Sequence, residues 1–336
     1  MRGSWVGIVI AVMSLGVSLP AMAEERAAEP LELNFLDAGQ AHALHIQKGD
    51  LDIFVDVGRH FSGAIQETVE GIEGRLELMI ITHPHADHFG GGAGILEATD
   101  VGMVVSNGER RGPPRDNSTL VTWERFEEAV DGAGLRIEAW EKGQRFRVTE
   151  HLTIEVLASG GDFPDTSSGT HINDDSLVLM VEYQGRRILL PGDLEEAGGQ
   201  WMVEEHCGGQ AQGCSKLDSD IFLVPHHGSH HFDEGFFEAA NPTWAVFGAP
   251  YDNRQHHHPR LEPLRFLVDL GARIKATNKG GGKNVEARIQ PGGDVMWNIE
   301  DSEIFVWRSD GEPEATYCEV EHGDGEVSKD CDVYGD

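Results

Sequence analysis

The most chemically suggestive part of the sequence is a short histidine-rich run that directly follows an apolar stretch. His83, His85, Asp87 and His88 lie within six residues, immediately after Leu78–Ile81. Imidazole is a good ligand for zinc, and a carboxylate adds negative charge and can bridge two ions. Because the apolar stretch is typical of a buried strand, the side chains that follow it are expected to converge on one cavity. The run therefore predicts a metal site.

Three further segments place acidic or histidine side chains after apolar stretches. Asp56 ends one stretch, Asp193 follows another within Leu-Leu-Pro-Gly-Asp, and His226 and His227 follow a third within Val-Pro-His-His-Gly-Ser. In order and spacing, these segments and the His-x-His-x-Asp-His run resemble the motifs of the metallo-β-lactamase superfamily. The resemblance implies an α/β fold, a metallo-β-lactamase-like αββα sandwich of two packed mixed sheets with outer helices.

A closer resemblance is to the hydrolase domain of ComEC-type competence proteins and its stand-alone relatives. The strings that carry it are Phe35–Gln40, Asp175–Leu179, His226–Ser229, Asn253-Arg254, His258-Pro259 and Thr277. The competence domains often have aspartate at the position of His85, so this site is closer to the general superfamily pattern. They also belong to a multi-pass membrane protein, and this sequence has no such channel, so DNA uptake is not implied.

The superfamily resemblance implies two divalent metal ions, zinc first, with manganese or iron as alternatives. It assigns the ligands residue by residue as His83, His85 and His171 at the first metal, Asp87, His88 and His227 at the second, and Asp193 bridging both. His171 lies just before the strand that leads to Asp193, where the superfamily places its third histidine. The ComEC-like group often lacks that histidine, and the alternative for His171 is a polar loop residue near the site.

Asp56 and His226 are expected beside the metals. Asp56 could accept a hydrogen bond from a ligating histidine and fix its tautomer, whereas His226 could do the same or contact substrate. The resemblance implies hydrolysis by a metal-activated hydroxide. In that scheme Asp87 is a ligand that can also accept a proton. His258 is expected either to donate a proton to the leaving group or to bind a phosphate oxygen.

The elements that must position these residues follow from apolar patterning. Alternating or continuous apolar runs predict strands that include Leu31–Phe35, Ala43–Gln47, Leu51–Asp56, Leu76–Ile81, Val101–Val105, Leu152–Leu157, Leu177–Tyr183, Arg187–Leu190, Ile221–Val224 and Glu303–Arg308. Helical spacing predicts helices at Gly90–Ala98, Leu120–Val130, Leu194–His206 and Arg260–Leu270. The order of strands followed by β-α alternation, twice over, is consistent with two packed sheets.

The charge of the chain limits how a substrate can be held. The 336 residues include 26 Lys and Arg against 58 Asp and Glu, a net charge of −32. Coating nucleic acid needs clustered cations, so no broad nucleic-acid-binding surface is expected. Arg110, Arg111 and Arg115 form one basic cluster near the predicted cleft rim, either contacting substrate or forming an ordinary loop face.

The family resemblance favours a phosphodiesterase or nuclease. One alternative is a hydrolase of a small ester, lactone or lactam, because the fold supports all these reactions. Another is a non-catalytic exported module that binds metal or a protein partner. The sequence leaves the oligomeric state open.

The two ends of the chain differ from the middle. Residues 1–23 are expected to be a cleaved signal peptide, because Arg2 precedes an apolar run that ends at Ala21-Met22-Ala23. The alternative is a membrane anchor, for which the run is short. Residues 24–300 would form the hydrolase domain and 301–336 an acidic C-terminal extension. These features predict a periplasmic or secreted protein with no transmembrane segment after signal removal.

Export would place the four cysteines in an oxidising compartment. An even number of cysteines in an oxidising compartment favours disulfides, with Cys207–Cys214 and Cys318–Cys331 as the local pairing. The alternative is four free thiols. The second disulfide would pin the acidic extension, which is otherwise expected to be a disordered tail.

Overall fold

A computed structural model of the protein describes most of the chain outside its N-terminus. The described residues are 29–109, 117–163, 172–250, 253, 255–277, 284–298, 302–307, 313–321 and 327–328. Several predicted features therefore lie outside the described residues: the signal peptide, Arg110, Arg111, Arg115, His171, Arg254 and Cys331. Within the described ranges, no helix is both long enough and apolar enough to cross a bilayer.

The first sheet is mixed and has eight strands among the described residues. In spatial order they are β15 (Val295–Trp297), β14 (Val285–Ile289), β1 (Leu31–Phe35), β2 (Ala43–Lys48), β3 (Leu51–Val57), β4 (Leu78–Ile81), β5 (Val104–Ser106) and β6 (Ile137–Ala139). The run from β3 to β6 is parallel, and the other pairs are antiparallel.

The second sheet is also mixed, with seven strands in the described part of the chain. Their spatial order is β13 (Arg273–Ala276), β12 (Trp244–Phe247), β11 (Ile221–Leu223), β10 (Arg186–Leu190), β9 (Val178–Tyr183), β8 (Leu152–Ala158) and β7 (Arg145–Arg147). Here β10 to β13 run parallel and β7 to β10 antiparallel.

Helices cover the outer face of each sheet. On the first sheet they are α1 (Gly63–Glu70), α2 (Ala86–Phe89), α3 (Gly92–Ala98) and α4 (Asn117–Gly132), and on the second α5 (Glu196–Cys207), α6 (Glu234–Ala240) and α7 (Leu261–Asp269). Phe126 of α4 shares an apolar cluster with Met79 of β4, and the ring of Phe236 in α6 lies 5.9 Å from that of Phe222 in β11.

The main core lies between the two sheets. Val55 and Ile80 of the first sheet belong to the same buried cluster as Leu179 and Leu190 of the second. Successive side chains of a strand face opposite sides, so each sheet buries one set of side chains between the sheets and the other beneath its helices. The αββα sandwich expected from the sequence is confirmed.

The patterned segments agree well with the observed elements. Each predicted strand and helix in the described residues overlaps an observed one. The elements that were not predicted individually include α1, α2, α6, β6, β7 and β12 to β15. At the C-terminus, β16 (Ser302–Trp307), β17 (Pro313–Glu321) and β18 (Val327–Ser328) form a separate antiparallel sheet. The strand expected at Glu303–Arg308 corresponds to β16.

The predicted disulfide between Cys207 and Cys214 is present and ties the last residue of α5 to the loop that follows. For the pair Cys318–Cys331, one partner is outside the described residues, and that disulfide remains a prediction.

The topology brings several strand ends to one edge of the sandwich. Parallel strands end at the same edge of a sheet, and ligand sites of α/β proteins commonly lie outside such carboxyl ends. The loops after β3 and β4 of the first sheet meet those after β10, β11 and β12 of the second. A backbone hydrogen bond from Leu177 N to Thr82 O, 2.8 Å long, joins the two sheets at this edge.

Candidate metal centre

The predicted chemistry-bearing residues converge at this edge. His83, His85, Asp87 and His88 follow β4, with α2 beginning inside the run. Asp193 follows β10, and His226 and His227 follow β11 in a 3-10 turn, Pro225–Gly228. His83, His88 and His227 are fully buried, at 0 % exposure, so they are positioned by the protein interior and not by solvent.

Two groups of potential ligands meet at a shared carboxylate. Within each group, one ligand atom per residue lies within 4.8 Å of all the others. The groups are His83, His85 and Asp193, and His42, His88, Asp193 and His227. One of these residues, His42, was not predicted from the sequence.

Asp193 lies between three imidazoles. Its Oδ2 atom is 3.2 Å from His88 Nε2, 3.8 Å from His227 Nε2 and 3.9 Å from His83 Nε2. Burial raises the pKa of Asp193, but the neighbouring His88 and His227 outweigh burial and hold it well below its usual range. The carboxylate is therefore ionised at neutral pH, as a metal ligand must be.

The same residues fit a bound cation by a second criterion. Both ring nitrogens of His42, Nε2 of His227 and Oδ1 of Asp193 are buried and find no hydrogen-bond partner among the described residues. Buried polar atoms nearly always have a partner, so their concentration in one place is typical of a metal site. Burial, followed by neighbouring histidines, keeps the pKa of His42 and His83 well below the usual value. Neutral imidazole is the form that binds metal.

Asp56 contacts the ring nitrogen of His88 that faces away from Asp193. Oδ2 of Asp56 lies 2.7 Å from His88 Nδ1, which leaves Nε2 directed at Asp193. The backbone N–H and the hydroxyl of Thr82 donate to the two carboxylate oxygens at 2.8 and 2.9 Å. Burial lowers the pKa of His88, but Asp193 and Asp56 raise it well above the usual value. Asp56 thus occupies the place expected of a residue that orients a ligand.

His83 and His227 also have a partner on the ring nitrogen that faces away from Asp193. His83 Nδ1 lies 3.1 Å from the Thr82 hydroxyl and 3.3 Å from that of Ser176. His227 Nδ1 donates to the carbonyl of Gly248 at 2.8 Å. Because these bonds occupy Nδ1, Nε2 of each ring is the atom available to a metal.

The glycine before Asp193 is required by space and by backbone conformation. Gly192 has φ +62°, and a Cβ there would lie 2.6 Å from Ser176 Oγ and 2.8 Å from Ser176 Cβ. Ser176 Oγ in turn accepts a hydrogen bond from the Asp193 N–H at 3.1 Å. The Pro-Gly-Asp sequence therefore lets the chain pass close to Ser176 and presents Asp193 to the site.

His85 and Asp87 lie at the margin of the cluster. His85 is partly exposed, with Nδ1 2.9 Å from His83 Nε2. Asp87 Oδ2 lies 3.6 Å from His227 Nε2, and Asp87 is in neither ligand group. Burial raises the pKa of Asp87, but the neighbouring His227 and the charge of His88 lower it well below the usual range. Asp87 is an ionised carboxylate beside the second group.

The two adjacent histidines after β11 point to different partners. His226 Nδ1 pairs with Glu195 Oε1 at 3.0 Å, and the Asn173 amide donates to the same oxygen at 2.8 Å. Both histidines have left-handed backbone conformations, φ 50° and 55°, each costing on the order of 1–3 kcal/mol. Burial lowers the pKa of His226, but Asp193 and Glu195 outweigh it and raise the net value.

His258 is placed beside the histidine pair. Its ring centroid lies 5.3 Å from that of His226 and 6.3 Å from that of His227. Burial, then the charges of His227 and His226, lower the pKa of His258 to about 2. The Gln40 amide donates to His258 Nδ1 at 3.2 Å, and Asn253 contacts the Gln40 carbonyl oxygen. The neutral ring therefore carries its proton on Nε2.

Sequence reasoning missed His42 and Glu195. His42 lies in the loop between β1 and β2. In the sheet, β2 pairs antiparallel with β1 on one side and with β3 on the other. That loop must therefore lie at the edge where β3 ends, close to Asp56. A histidine in the β1–β2 loop was thus a usable signal once the strand order was known. Glu195 had no signal beyond its position two residues after Asp193.

Comparisons with known proteins agree with this geometry. A family model described as "Metallo-beta-lactamase superfamily" matches residues 36–248. Among curated proteins, ComE operon protein 3 of Bacillus subtilis (strain 168) is 26% identical over 299 residues, covering 82% of this chain and 35% of that protein. The chain thus spans about a third of the length of that relative.

Two solved structures are also similar to this chain. The metallo-beta-lactamase fold protein YhfI from Bacillus subtilis has a TM-score of 0.46 and 10% identity, over 80% of this chain and 100% of that one. A Cronobacter sakazakii metallo-beta-lactamase with a HARLDQ motif has a TM-score of 0.33 and 16% identity, over 55% of this chain and 70% of its own.

Proposed function

The chain belongs to the metallo-beta-lactamase superfamily and is a metal-dependent hydrolase, and we propose that it is an exported phosphodiesterase or nuclease that works with two divalent metal ions. The expected kinship with ComEC-type proteins is confirmed by the similarity to ComE operon protein 3. The match covers only 35% of that protein, so the similarity does not assign its substrate to this chain.

The observation that carries the two-metal proposal is the sharing of Asp193 by two ligand groups. His83 and His85 would hold one ion, His88 and His227 the other, and Asp193 would touch both. When bound, two such ions supply Lewis acidity that polarises a phosphoryl oxygen, lowers the pKa of water and stabilises both oxygens of an in-line displacement. Nitrogen-rich ligand sets suit zinc, with manganese and iron as alternatives.

Asp87 is proposed as a proton acceptor. Its side chain is 18 % exposed and ionised, and it lies beside His227, so it is in reach of both the metal groups and solvent. A carboxylate held in this position could take the proton of an attacking water. This role does not require Asp87 to be a metal ligand.

For protonation of the leaving group, the arrangement supports His226 in place of His258. His226 is paired with Glu195 at 3.0 Å, and the charges of Asp193 and Glu195 raise its pKa, so it holds a proton more readily than His258 does. His258 has a pKa near 2 and stays neutral. We propose that His258 donates a hydrogen bond from Nε2 to a substrate oxygen and that Gln40 keeps it in the tautomer needed for this.

The substrate would be held by the site and not by a basic surface. Beside the metal groups, His256 lies close enough to Asp87, His227 and Arg59 for their charges to act on its pKa, which burial lowers. The net charge of −32 makes a broad anion-binding face implausible on electrostatic grounds. A short or mobile phosphodiester therefore fits the proposal better than a long duplex. The Cys207–Cys214 disulfide supports export, because such bonds persist in oxidising compartments.

The proposal is tested by reconstituting the purified protein with zinc, manganese or iron and measuring metal per chain. Hydrolysis is then compared for a bis-aryl phosphate, single-stranded DNA, double-stranded DNA and a panel of lactones and lactams. We expect two metals per chain and turnover of the phosphodiesters. Asp193→Asn should abolish activity and reduce the metal content.

Turnover restricted to lactones or lactams would support small-molecule hydrolysis and overturn the phosphodiesterase assignment. Tight metal binding without hydrolysis of any substrate would favour the non-catalytic module. If Asp193→Asn keeps full activity and metal content, the two-metal proposal is wrong.

A further inference from the structure

His42 is a buried histidine whose two ring nitrogens lack a hydrogen-bond partner in the described part of the chain. Its side chain is 2 % exposed, and neither ring nitrogen has a hydrogen-bond partner among the described residues. Leaving a buried polar atom unsatisfied costs about 1–3 kcal/mol. His45, three residues later and also buried, uses both nitrogens, with Asp52 at 2.8 Å and Asn34 at 3.3 Å. The fold thus satisfies a neighbouring buried imidazole and leaves that of His42 for another partner.

The ring of His42 is directed at the shared carboxylate. Its Nδ1 lies 3.6 Å from Asp193 Oδ1, and its centroid is 4.1 Å from that of His227 and 5.2 Å from that of His88. These four residues form one convergent group with three nitrogens and one oxygen. Three imidazoles and a carboxylate are a complete tetrahedral set for zinc.

The surrounding backbone makes room for this ring and fixes its position. A Cβ on Gly248 would lie 2.9 Å from His42 Cδ2 and 3.3 Å from Nε2, so this position admits no larger residue without displacing the ring. The His42 N–H donates to the Asp87 carbonyl at 3.2 Å, and the His42 carbonyl accepts from Gly58 N–H at 2.8 Å. His42 is therefore held by the loops after β3 and β4 while it packs against the loop after β12.

We propose that His42 is a direct ligand of the second metal ion, which is then held by four protein side chains, His42, His88, Asp193 and His227. Asp87 then lies beside this ion and is not needed to bind it. Among the described residues, the first group, His83, His85 and Asp193, would provide three ligands, one fewer than the second. His171, the further ligand expected from the sequence, lies outside them. Closed sites are typical of structural metals and open sites of catalytic ones.

The inference rests on the proposed two-metal function and gives the two ions unequal roles. The second ion, surrounded by buried side chains, would be retained tightly and organise the site. The first, bound beside the partly exposed His85, would be the one that a substrate oxygen or water can reach. Loss of a direct ligand should weaken metal binding by more than the 10- to 100-fold typical of losing an outer hydrogen-bond partner.

The test compares wild type, His42→Leu, Asp87→Asn and His45→Asn for metal per chain, for affinity in competition with a chelator, and for the visible spectrum of the Co²⁺-loaded protein. His45→Asn is the matched control, because it alters a buried histidine outside the cluster. We expect two ions in wild type and His45→Asn. His42→Leu should bind one of the two ions about 100-fold or more weakly, and it should lose the visible absorption of four-coordinate Co²⁺. Asp87→Asn should lose less than tenfold in metal affinity.

Two metals bound with unchanged affinity and spectrum in His42→Leu would overturn the assignment of His42. Equal losses in Asp87→Asn and His42→Leu would overturn the closed four-ligand set. If His42→Leu does not fold, as judged by circular dichroism, His42→Gln replaces it and the same two outcomes apply. Fewer than two ions in wild type would instead refute the two-metal function, so the two failures are distinguishable.

Discussion

The carboxylate of Asp56 lies 2.7 Å from His88 Nδ1, although the two residues are 32 positions apart in the sequence. The pair forms because β3 and β4 are adjacent and parallel, so that the residues at and beyond their carboxyl ends meet. Asp56 also has φ 56°, in the left-handed region that few non-glycine residues adopt. An unfavourable backbone conformation is thus retained at the residue that orients a potential ligand.

Asp56→Asn should weaken metal binding by about 10- to 100-fold, because the amide cannot hold His88 and accept from Thr82 as the carboxylate does. Metal affinity measured in competition with a chelator checks this. The matched control is Asp52→Asn in the same strand, which breaks a buried pair with His45, 2.8 Å long, outside the site. Equal effects of the two substitutions on metal affinity would contradict the proposed role of Asp56.

Gly192→Ala should destabilise the protein and reduce its metal content. The new Cβ would collide with Ser176, and the alanine would have to adopt φ +62°. Gly185→Ala, in the turn between β9 and β10, has φ +78° but no atom within 4 Å of its Cβ. Both variants should lose about 1–3 kcal/mol from backbone strain. Only Gly192→Ala should lose metal, measured per chain in folded protein. Normal metal content in that variant would show that Asp193 tolerates the displacement.

Removing metal should lower the melting temperature. Ligands that bind only the folded state add about 2.7 kcal/mol at a concentration 100-fold above the dissociation constant. For a domain of this size, that corresponds to a shift of about 5–10 °C. Thermal denaturation with chelator, and then with metal restored, measures the shift. Asp193→Asn should respond much less, and an equal response in that variant would place the stabilising metal elsewhere.

Acidification of the metal-free protein should reduce its stability partly through His258. The pKa of this buried imidazole is about 2 in the folded protein and about 6.5 in an unfolded chain. As pH falls below about 6.5, the unfolded state takes up a proton that the folded state does not, so the free energy of unfolding decreases.

His258→Gln should therefore flatten the decline of unfolding free energy between pH 6 and 4 by up to about 1.4 kcal/mol per pH unit. Urea denaturation at several pH values measures the slope. His60→Gln, which removes an exposed imidazole, serves as the control. An unchanged slope in His258→Gln would mean that the folded protein accommodates the charged ring.

The parts of the site that were predictable are those encoded locally. His83, His85 and His88 are close in sequence and follow a strand made only of apolar residues, so their convergence needed no knowledge of the fold. Asp193 and His227 each follow a similar apolar strand, and the resemblance to the superfamily motifs assigned them as ligands. The main sheets were predictable for the same reason, since their inner faces alternate or run continuously apolar.

The parts that were missed depend on strand order. His42 reaches the site only because the β1–β2 loop and the end of β3 lie at one edge, which a single sequence does not specify. The tautomer of His258 depends on Gln40, 218 residues away in the sequence. We propose His226 as the proton donor, where the sequence had favoured His258, because the electrostatic surroundings of the two rings differ, and those surroundings arise from tertiary packing.

The candidate ligands come from both layers of the sandwich, His83 and His88 from the first sheet and Asp193 and His227 from the second. Coordination at this edge would act as a removable cross-link between the layers, in addition to the apolar core that joins them. Separation of the layers during unfolding would then begin at the far edge, and the metal-loaded protein would survive longer in a protease-rich environment. Metal supply would govern the lifetime of the protein as well as its chemistry.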